Sequence, residues 1–253
     1  MHKNSIISSK SEIASNVQIG PFCIIEDDVS IEKNCKIHSH VVIKSGTSIG
    51  QNCEIFSGVV LGEIPQDLKY KGESTELKIG NNNIIREYST IHKGTIDRGT
   101  TQIGDNCMLM AYSHIAHDSI IKNNVILSNS VQVGGHVDID DFVIVGGATP
   151  IHQFCKLGAF SFIGGGYRVV QDVPPYIKAM GEPLRYSGVN SIGLSRNDFS
   201  LDRISLIKKA YKILYRSKYN TSQAVSILND DYPNNNEIKE IINFIDKSDR
   251  GII

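Results

Sequence analysis

The stretch IGDNCMLMAYSHIAHDSIIKNNVILSNSVQVGGHVDIDDFVIV, residues 103–145, places an aliphatic residue at every sixth position: Ile103, Leu109, Ile115, Ile121, Leu127, Val133, Ile139 and Val145. The same phase continues through Ile151, Leu157, Ile163 and Val169. Upstream it takes in Ile7, Ile13, Ile19, Ile25, Ile31, Ile37, Ile43, Ile49, Ile55 and Leu61, pauses, resumes at Ile79, Ile85 and Ile91, and pauses again before Ile103. A period of six matches neither an amphipathic helix, at about 3.6, nor simple strand alternation, at about 2. It matches short strands joined by tight turns and wound as a parallel β-helix, in which each six-residue side sends one aliphatic residue inward.

The position four residues later is small or β-branched: Val17, Cys23, Val29, Cys35, Val41, Thr47, Cys53 and Val59, then Cys107, Ser113, Ser119, Val125, Val131 and Val137. All five cysteines, Cys155 included, fall in this phase and none forms a C-x-x-C pair. They read as small interior hydrophobes, not as a disulfide framework or a thiolate zinc site. If three sides close a triangular coil, residues 18 apart stack at strand spacing, about 4.8 Å. The pauses, Gly62 to Lys78 and His92 to Gln102, are excursions and not frame shifts, because 61 to 79 is 18 residues and 91 to 103 is 12.

The pattern stops at Asp172-Val173-Pro174-Pro175, where two prolines should forbid further ladder bonds. A turn-rich connector is expected to about Ser195. From Ser200, a candidate N-cap, Leu201, Ile204, Ile207, Ala210, Tyr211 and Leu214 recur at helical spacing, and shorter helices are expected at 221–229 and 236–246. The chain thus divides into a solenoid over 1–189 and a small helical domain over 190–253, expected to cap the open end of the coil.

Composition agrees with a packed fold: 40% of the 253 residues are hydrophobic and 21% charged. With 26 Lys and Arg against 27 Asp and Glu, no global field favours nucleic acid or an anionic membrane. The opening Met1-His2-Lys3-Asn4-Ser5 leads into a polar stretch without the apolar core of a signal peptide, and no run of about 18 apolar residues occurs. The expectation is a cytoplasmic protein without stable membrane insertion.

None of the eight histidines lies on an interior phase, so His114, His117, His136 and His152 should point outward. His117, Gly135 and Gln153 are spaced 18 and 18, which stacks them on one outer edge, with His136 and His152 one residue to either side of that column. Asp118, directly after His117, is suited to fix an imidazole tautomer and raise its basicity. A glycine N–H in the same column, from Gly135 or its neighbour Gly134, is suited to meet a developing oxyanion.

At Ile115-Ala116-His117-Asp118, within this hexapeptide phase, the chain resembles the acyl-carrier-protein-dependent UDP-N-acetylglucosamine O-acyltransferases of lipid A biosynthesis. Gln66-Asp67-Leu68-Lys69-Tyr70, Gly135-His136-Val137, His152-Gln153-Phe154 and Gln171-Asp172-Val173-Pro174-Pro175-Tyr176 carry the likeness through nearly the whole chain. The resemblance implies a left-handed β-helix assembled as a homotrimer, with the first step of lipid A biosynthesis as its reaction. A 3-hydroxyacyl chain would pass from acyl carrier protein to the 3-position of UDP-N-acetylglucosamine or a 3-amino analogue, without a resident cofactor or metal. It makes His117 the general base, Asp118 its orienting partner and the Gly135 amide the oxyanion donor. It also implies substrate contacts from Asp67, Lys69, His114, His136, His152 and Gln153, an acyl-channel end at Gly165, and nucleotide or donor-phosphate contacts from Asn190 and Arg196.

Some positions depart from the family's pattern: Asn197 where a further Arg is common, Ile192 where an acidic residue is frequent, and Pro183 in place of a frequent His; Arg185 or Arg168 are the cations available to compensate. Two other enzyme readings share the solenoid. An acetyl-CoA-dependent nucleotide-sugar acetyltransferase would use the same histidine base. A zinc enzyme resembling the gamma-class carbonic anhydrases would need three nitrogens, from His114, His117 and His136. A binding platform without catalysis is the remaining class.

Overall fold

The computed structural model describes residues 3–253; Met1 and His2, which open the polar N-terminal stretch, lie outside them. Residues 6–163 wind as a left-handed parallel β-helix with three sheets for walls. The first wall runs from Ile6–Ile7 to Pro150–Ile151, the second from Glu12–Ile13 to Lys156–Leu157, and the third from Gln18–Ile19 upward. Rungs pair in register at 18 residues, as in Ile6 with Ile24 and Ile126 with Ile144. Across the first excursion the offset is 30, Leu61 with Ile91, and across the second it is 24, His114 with Thr90. The insertions are therefore 30 − 18 = 12 and 24 − 18 = 6 residues, both multiples of the repeat.

The six-residue phase is the core: every residue of it is buried except Ile7 and Ile13 at the open N-terminal end, which are partly buried. Each fully buried aliphatic side chain contributes about 1.5–3 kcal/mol. The phase four residues on has a second task. Cys23, Cys35, Cys53 and Cys107 direct their Sγ atoms at corner carbonyls of the next rung, 2.9, 3.0, 3.2 and 3.0 Å from His38, Gly50, Gly80 and Lys122 oxygens. Ser119 makes the same bond to the Gly134 carbonyl at 2.9 Å. A short side chain with a donor at its tip both fits the corner and satisfies an inward carbonyl.

Corners turn through one residue of positive φ. On the edge between the second and third walls, Asn34, Asn52, Asn82, Asn106 and Asn124 take this role with φ between 57° and 64°. Asparagine tolerates the left-handed region, and its amide can bond the next rung, as Asn34 does to Asn52 at 2.9 Å and Asn52 to Asn82 at 3.0 Å. Higher on the same edge Phe142 and Phe160 stack at 4.7 Å.

The upper end differs from the sequence-based expectation in three ways. The ladder does not stop at the prolines: Ile177–Met180 adds a parallel strand to the third wall, pairing Phe162 with Lys178, and Arg185–Val189 turns back against it. Pro174 and Pro175 sit in the corner before that strand, where no ladder donor is needed. The connector contains a short helix, α1 (Ser191–Arg196), started by the Asn190 side chain. Finally, the helices α2 (Leu201–Arg216), α3 (Thr221–Asp231) and α4 (Asn236–Asp246) do not sit only over the end. The segment after α4 returns along the second wall, where Lys156 pairs with Asp249 at 2.7 Å and Asp172 bridges to Ile252. Leu194, Ile204, Ile207, Tyr211 and Ile241 join the same hydrophobic core as the coil. Ser200 caps α2 by accepting the Arg203 N–H at 3.3 Å, as its sequence suggests.

Two stability effects should be measurable. Leu127→Ala, in a fully buried site remote from the excursions, should cost about 2–5 kcal/mol in denaturant unfolding with an unchanged slope; a loss below about 1 kcal/mol would mean the coil interior collapses around the void. His92 is 5% exposed and its Nδ1 finds no partner among the described residues. Burial, aided by the charge of His114, drives its pKa from 6.5 down to about 4. The folded chain keeps it neutral while the unfolded chain protonates, so stability should fall as pH drops from about 6.5 to about 4, by about 3 kcal/mol in all. His92→Gln should flatten that slope.

Candidate active site

Both excursions and the histidine column lie on one edge, where the first wall turns into the second. Ile64 to Thr75 joins Val60–Glu63 to Glu76–Ile79, and Lys93 to Gly99 joins Thr90–His92 to Thr100–Ile103. On the rungs above, the same edge is formed by residues 116–119, 134–137 and 152–155. Asp118, His136 and Phe154 are its positive-φ corner residues, at 58°, 60° and 65°. Backbone bonds tie the column together: the His136 N–H donates to the His117 carbonyl and the Phe154 N–H to the Gly135 carbonyl, each at 3.1 Å.

His117 points away from the core yet is only 7% exposed, and Asp118 is fully buried. The second excursion folds against the pair through its bonds to Asp118. His117 Nδ1 lies 2.9 Å from Asp118 Oδ2. The same carboxylate accepts the Thr95 N–H at 3.0 Å, the Thr95 hydroxyl at 2.6 Å and the Arg98 N–H at 3.2 Å. Burial alone would raise the Asp118 pKa; hydrogen bonds from Thr95 and His117 outweigh it and hold the carboxyl below its ordinary range. An ionised Asp118 takes the Nδ1 proton, so the Nε2 of His117 is an acceptor.

Beside that nitrogen lies Gly135. A Cβ there would stand 2.9 Å from His117 Nε2 and 2.8 Å from Cε1, so only glycine leaves the imidazole room. The two glycines of the column differ in their backbones. Gly134 N–H is spent on the Ile151 carbonyl at 3.0 Å, while Gly135 N–H meets no acceptor among the described residues. The Gln153 backbone stacks above, with its N 2.9 Å from where a Gly134 Cβ would be. His136 stands edge-on to His117 with ring centroids 5.2 Å apart, and stacks on Phe154 at 4.7 Å. His114 lies on the neighbouring strand, bonded through Nδ1 to Thr90 Oγ1 at 2.7 Å, with His92 edge-on to it at 4.8 Å. Burial lowers the pKa of both His114 and His136, which keeps these rings neutral.

The remaining sequence candidates are dispersed. Asp67 and Lys69 ride on the first excursion at this same edge; the Asp67 carboxylate accepts the Lys69 N–H at 2.9 Å. His152 and Gln153 are exposed on its upper rung. Gly165 lies on a different edge, between the third and first walls, where a Cβ would meet the Gly147 carbonyl at 3.0 Å. Asn190 belongs to the third edge. Its side chain caps α1 through the Gly193 N–H at 3.2 Å and donates to the Phe160 carbonyl at 2.9 Å, so its polar atoms are committed within the chain. Arg196 ends α1 and is exposed, as is Ile192. Arg168 is paired with Glu182 at 2.8 Å. One chain therefore does not bring these residues to His117.

Sequence reasoning missed His92, Thr95, Arg98 and Thr101. Thr101 Oγ1 accepts the Asp118 N–H at 2.9 Å, and Arg98 Nη1 donates to the Asp118 carbonyl at 2.8 Å. Their only signal was the Gly- and Thr-rich composition of the second excursion. Among the described residues one set of three donors could hold a cation, His117, Asp118 and His136, with ligand atoms within 4.8 Å of one another. It excludes His114, so within one chain His114, His117 and His136 do not converge on one point. With both Asp118 oxygens already taken by four donors, the set fits a hydrogen-bonded His–Asp pair.

The sequence profile described as the UDP-N-acetylglucosamine O-acyltransferase domain 2 matches residues 172–253, and that of the bacterial transferase hexapeptide repeats matches 10–45, 28–63 and 100–135. The acyl-[acyl-carrier-protein]–UDP-N-acetylglucosamine O-acyltransferase of Thermodesulfovibrio yellowstonii is 48% identical over all of this chain and 98% of its own length. That of Thiobacillus denitrificans is 43% identical, again over all of this chain and 98% of its own. The solved structure of LpxA from Acinetobacter baumannii superposes with a TM-score of 0.97 at 45% identity, covering 100% of this chain and 98% of that one. For the Bacteroides fragilis UDP-N-acetylglucosamine acyltransferase the TM-score is 0.98 at 44% identity, covering 100% and 99%. No helix among the described residues is long and apolar enough to cross a membrane. From the repeats, the excursions and the His–Asp edge to these full-length likenesses, the chain belongs to the UDP-N-acetylglucosamine O-acyltransferase family.

Proposed function

We propose that this chain transfers a 3-hydroxyacyl group from acyl carrier protein to the 3-hydroxyl of UDP-N-acetylglucosamine, as the first step of lipid A biosynthesis, with His117 as general base. The observation that carries the reading is the His117 imidazole, bonded through Nδ1 to buried Asp118 at 2.9 Å and flanked by the unpaired Gly135 N–H. A proton acceptor beside a backbone donor is what acyl transfer to a hydroxyl needs. The sugar oxygen attacks the thioester carbonyl as its proton passes to His117 Nε2, and the Gly135 N–H meets the oxyanion. The C–S bond then breaks, and the imidazolium returns the proton to the leaving phosphopantetheine thiolate. The neighbouring Asp118 carboxylate stabilises that imidazolium.

Direct transfer agrees with the cysteines. All five are buried, and burial pushes the thiol of Cys155, the one that follows the histidine column on this edge, up to about 11, far from a nucleophile's range. The acyl donor brings its own phosphopantetheine, so no resident cofactor or metal is required. Relatives named as O-acyltransferases favour the ester over the amide from a 3-amino sugar. Asp67, Lys69, His114, His136, His152 and Gln153 border the acceptor side of the edge. Gly165, Asn190 and Arg196 lie on other edges, which fits a cleft between subunits of a homotrimer, with each edge facing a different one of its neighbour. A carrier-protein donor and a nucleotide-sugar acceptor support a cytoplasmic reaction.

A mass-spectrometric assay with UDP-N-acetylglucosamine and acyl carrier proteins of graded chain length reads both substrates at once; preference for acetyl-CoA would overturn the donor. His117→Ala should lower turnover by about 10²–10⁴ without loss of folding, and a fully active variant would strip His117 of its role. Lys69→Ala should raise the KM for the nucleotide sugar with kcat little changed; an unaltered KM would release Lys69 from substrate contact.

A further inference from the structure

The segment Lys93–Gly99, which carries the six-residue insertion, is more extensively bonded than a surface excursion needs to be. Its start is tied to the coil by Lys93 N–H to the Glu63 carbonyl and Gly94 N–H to the Glu76 carbonyl, both at 3.1 Å, and its end by the Glu76 N–H to the Gly99 carbonyl at 2.9 Å. Its own turn closes through Gly99 N–H to the Thr95 carbonyl at 2.7 Å, and a Cβ at Gly94 would fall 2.4 Å from the Thr100 nitrogen. Arg98 staples it to the rungs above, reaching the Asp118 carbonyl at 2.8 Å and the Asp138 carboxylate at 2.6 and 3.3 Å. All of this converges on one buried group. The Asp118 Oδ1 accepts the N–H groups of Thr95 and Arg98, and Oδ2 accepts the Thr95 hydroxyl at 2.6 Å beside His117 Nδ1. The hydroxyl's direction is set in turn, because Thr95 Oγ1 accepts the Asp97 N–H at 3.3 Å and must donate to Asp118.

We infer that Thr95 is a positioning residue of the acyl transfer: the insertion exists to hold the Asp118 carboxylate in the one rotation that takes the Nδ1 proton of His117. The inference rests on His117 being the base, as proposed above. Without the Thr95 hydroxyl, Oδ2 keeps only its bond to the imidazole, and the carboxylate, still held at Oδ1 by the Thr95 and Arg98 N–H groups, is free to pivot Oδ2 away from Nδ1. The imidazole is then free to place its proton on Nε2, the tautomer usual for an unconstrained histidine, which cannot accept from the sugar.

The test compares Thr95→Val and Thr95→Ser in the full chain. Steady-state kinetics with acyl carrier protein substrate are read together with ¹⁵N-histidine NMR of the free enzyme, the His117 signal being assigned by its loss in His117→Gln. Thr95→Val should lower kcat about 10- to 100-fold with an unchanged KM for UDP-N-acetylglucosamine, and should shift His117 toward the Nε2–H tautomer; Thr95→Ser should restore both. If Val disturbs the loop, as judged by thermal unfolding, Thr95→Ala removes the hydroxyl with less bulk and is read in the same way. A Thr95 variant that keeps the Nδ1–H tautomer, whether or not its rate falls, overturns the positioning role. A variant that changes tautomer at full rate keeps the positioning but removes His117 as the base, which separates failure of the inference from failure of the mechanism.

Discussion

The whole molecule depends on one constraint, that a side of six residues must bury its aliphatic residue directly above the one 18 positions earlier. Once a rung closes, parallel ladder bonds and stacked aliphatic side chains hold its neighbours in register, and error cannot accumulate along the chain. A one-residue slip would send an entire side outward. The constraint reaches the corners as well. Turning within the four residues between strands demands one positive φ per corner, met by Asn34, Asn52, Asn82, Asn106 and Asn124 on one edge and by Asp118 and His136 on another. Two residues of the proposed site are thus also residues that let the coil turn.

That dual use explains how a solenoid of two-residue strands makes a site with small tolerances. His117 lies two residues beyond the strand His114–Ile115, in which Ile115 is fully buried in the core and His114 faces outward. On its other side the chain turns at Asp118, and the His117 carbonyl is held by the His136 N–H of the next rung. Rigidity of the backbone therefore comes from the ladder, and the second excursion adds donors to the Asp118 side chain. Insertions of 12 and 6 residues are tolerated because each returns the chain to the same phase, so the rungs above are undisturbed. Burying a carboxylate under such a loop would be costly if it were unpaired. Four donors around Asp118 offset that cost and keep it ionised.

Much of this was legible in the residues. The aliphatic phase located the core, and the spacing of His117, Gly135 and Gln153 placed them on one edge without any coordinates. What misled was local reading of residues whose role is set from afar. Pro174 and Pro175 look like the end of a sheet, yet they occupy a corner, and the third wall gains another strand at Ile177–Met180. Spacing also gave no sign that the Asn190 amide caps α1 and ties it to Phe160. His117 points outward as its phase requires, yet it is buried, and no periodicity describes the path of the loop beside it.

The sequence by itself determined the coil, its rung length, its inward residues and the alignment of the histidine column, because a repeat that stacks on itself converts residue number directly into position. Only the tertiary structure decided that Thr95 and Arg98 close over Asp118, that Gly135 and not Gly134 has an N–H no described residue takes, and that Gly165, Asn190 and Arg196 stand on other edges. Those outcomes depend on where non-repeating segments fold back and on which backbone groups the neighbouring rung has already paired, and neither is a function of spacing along the chain.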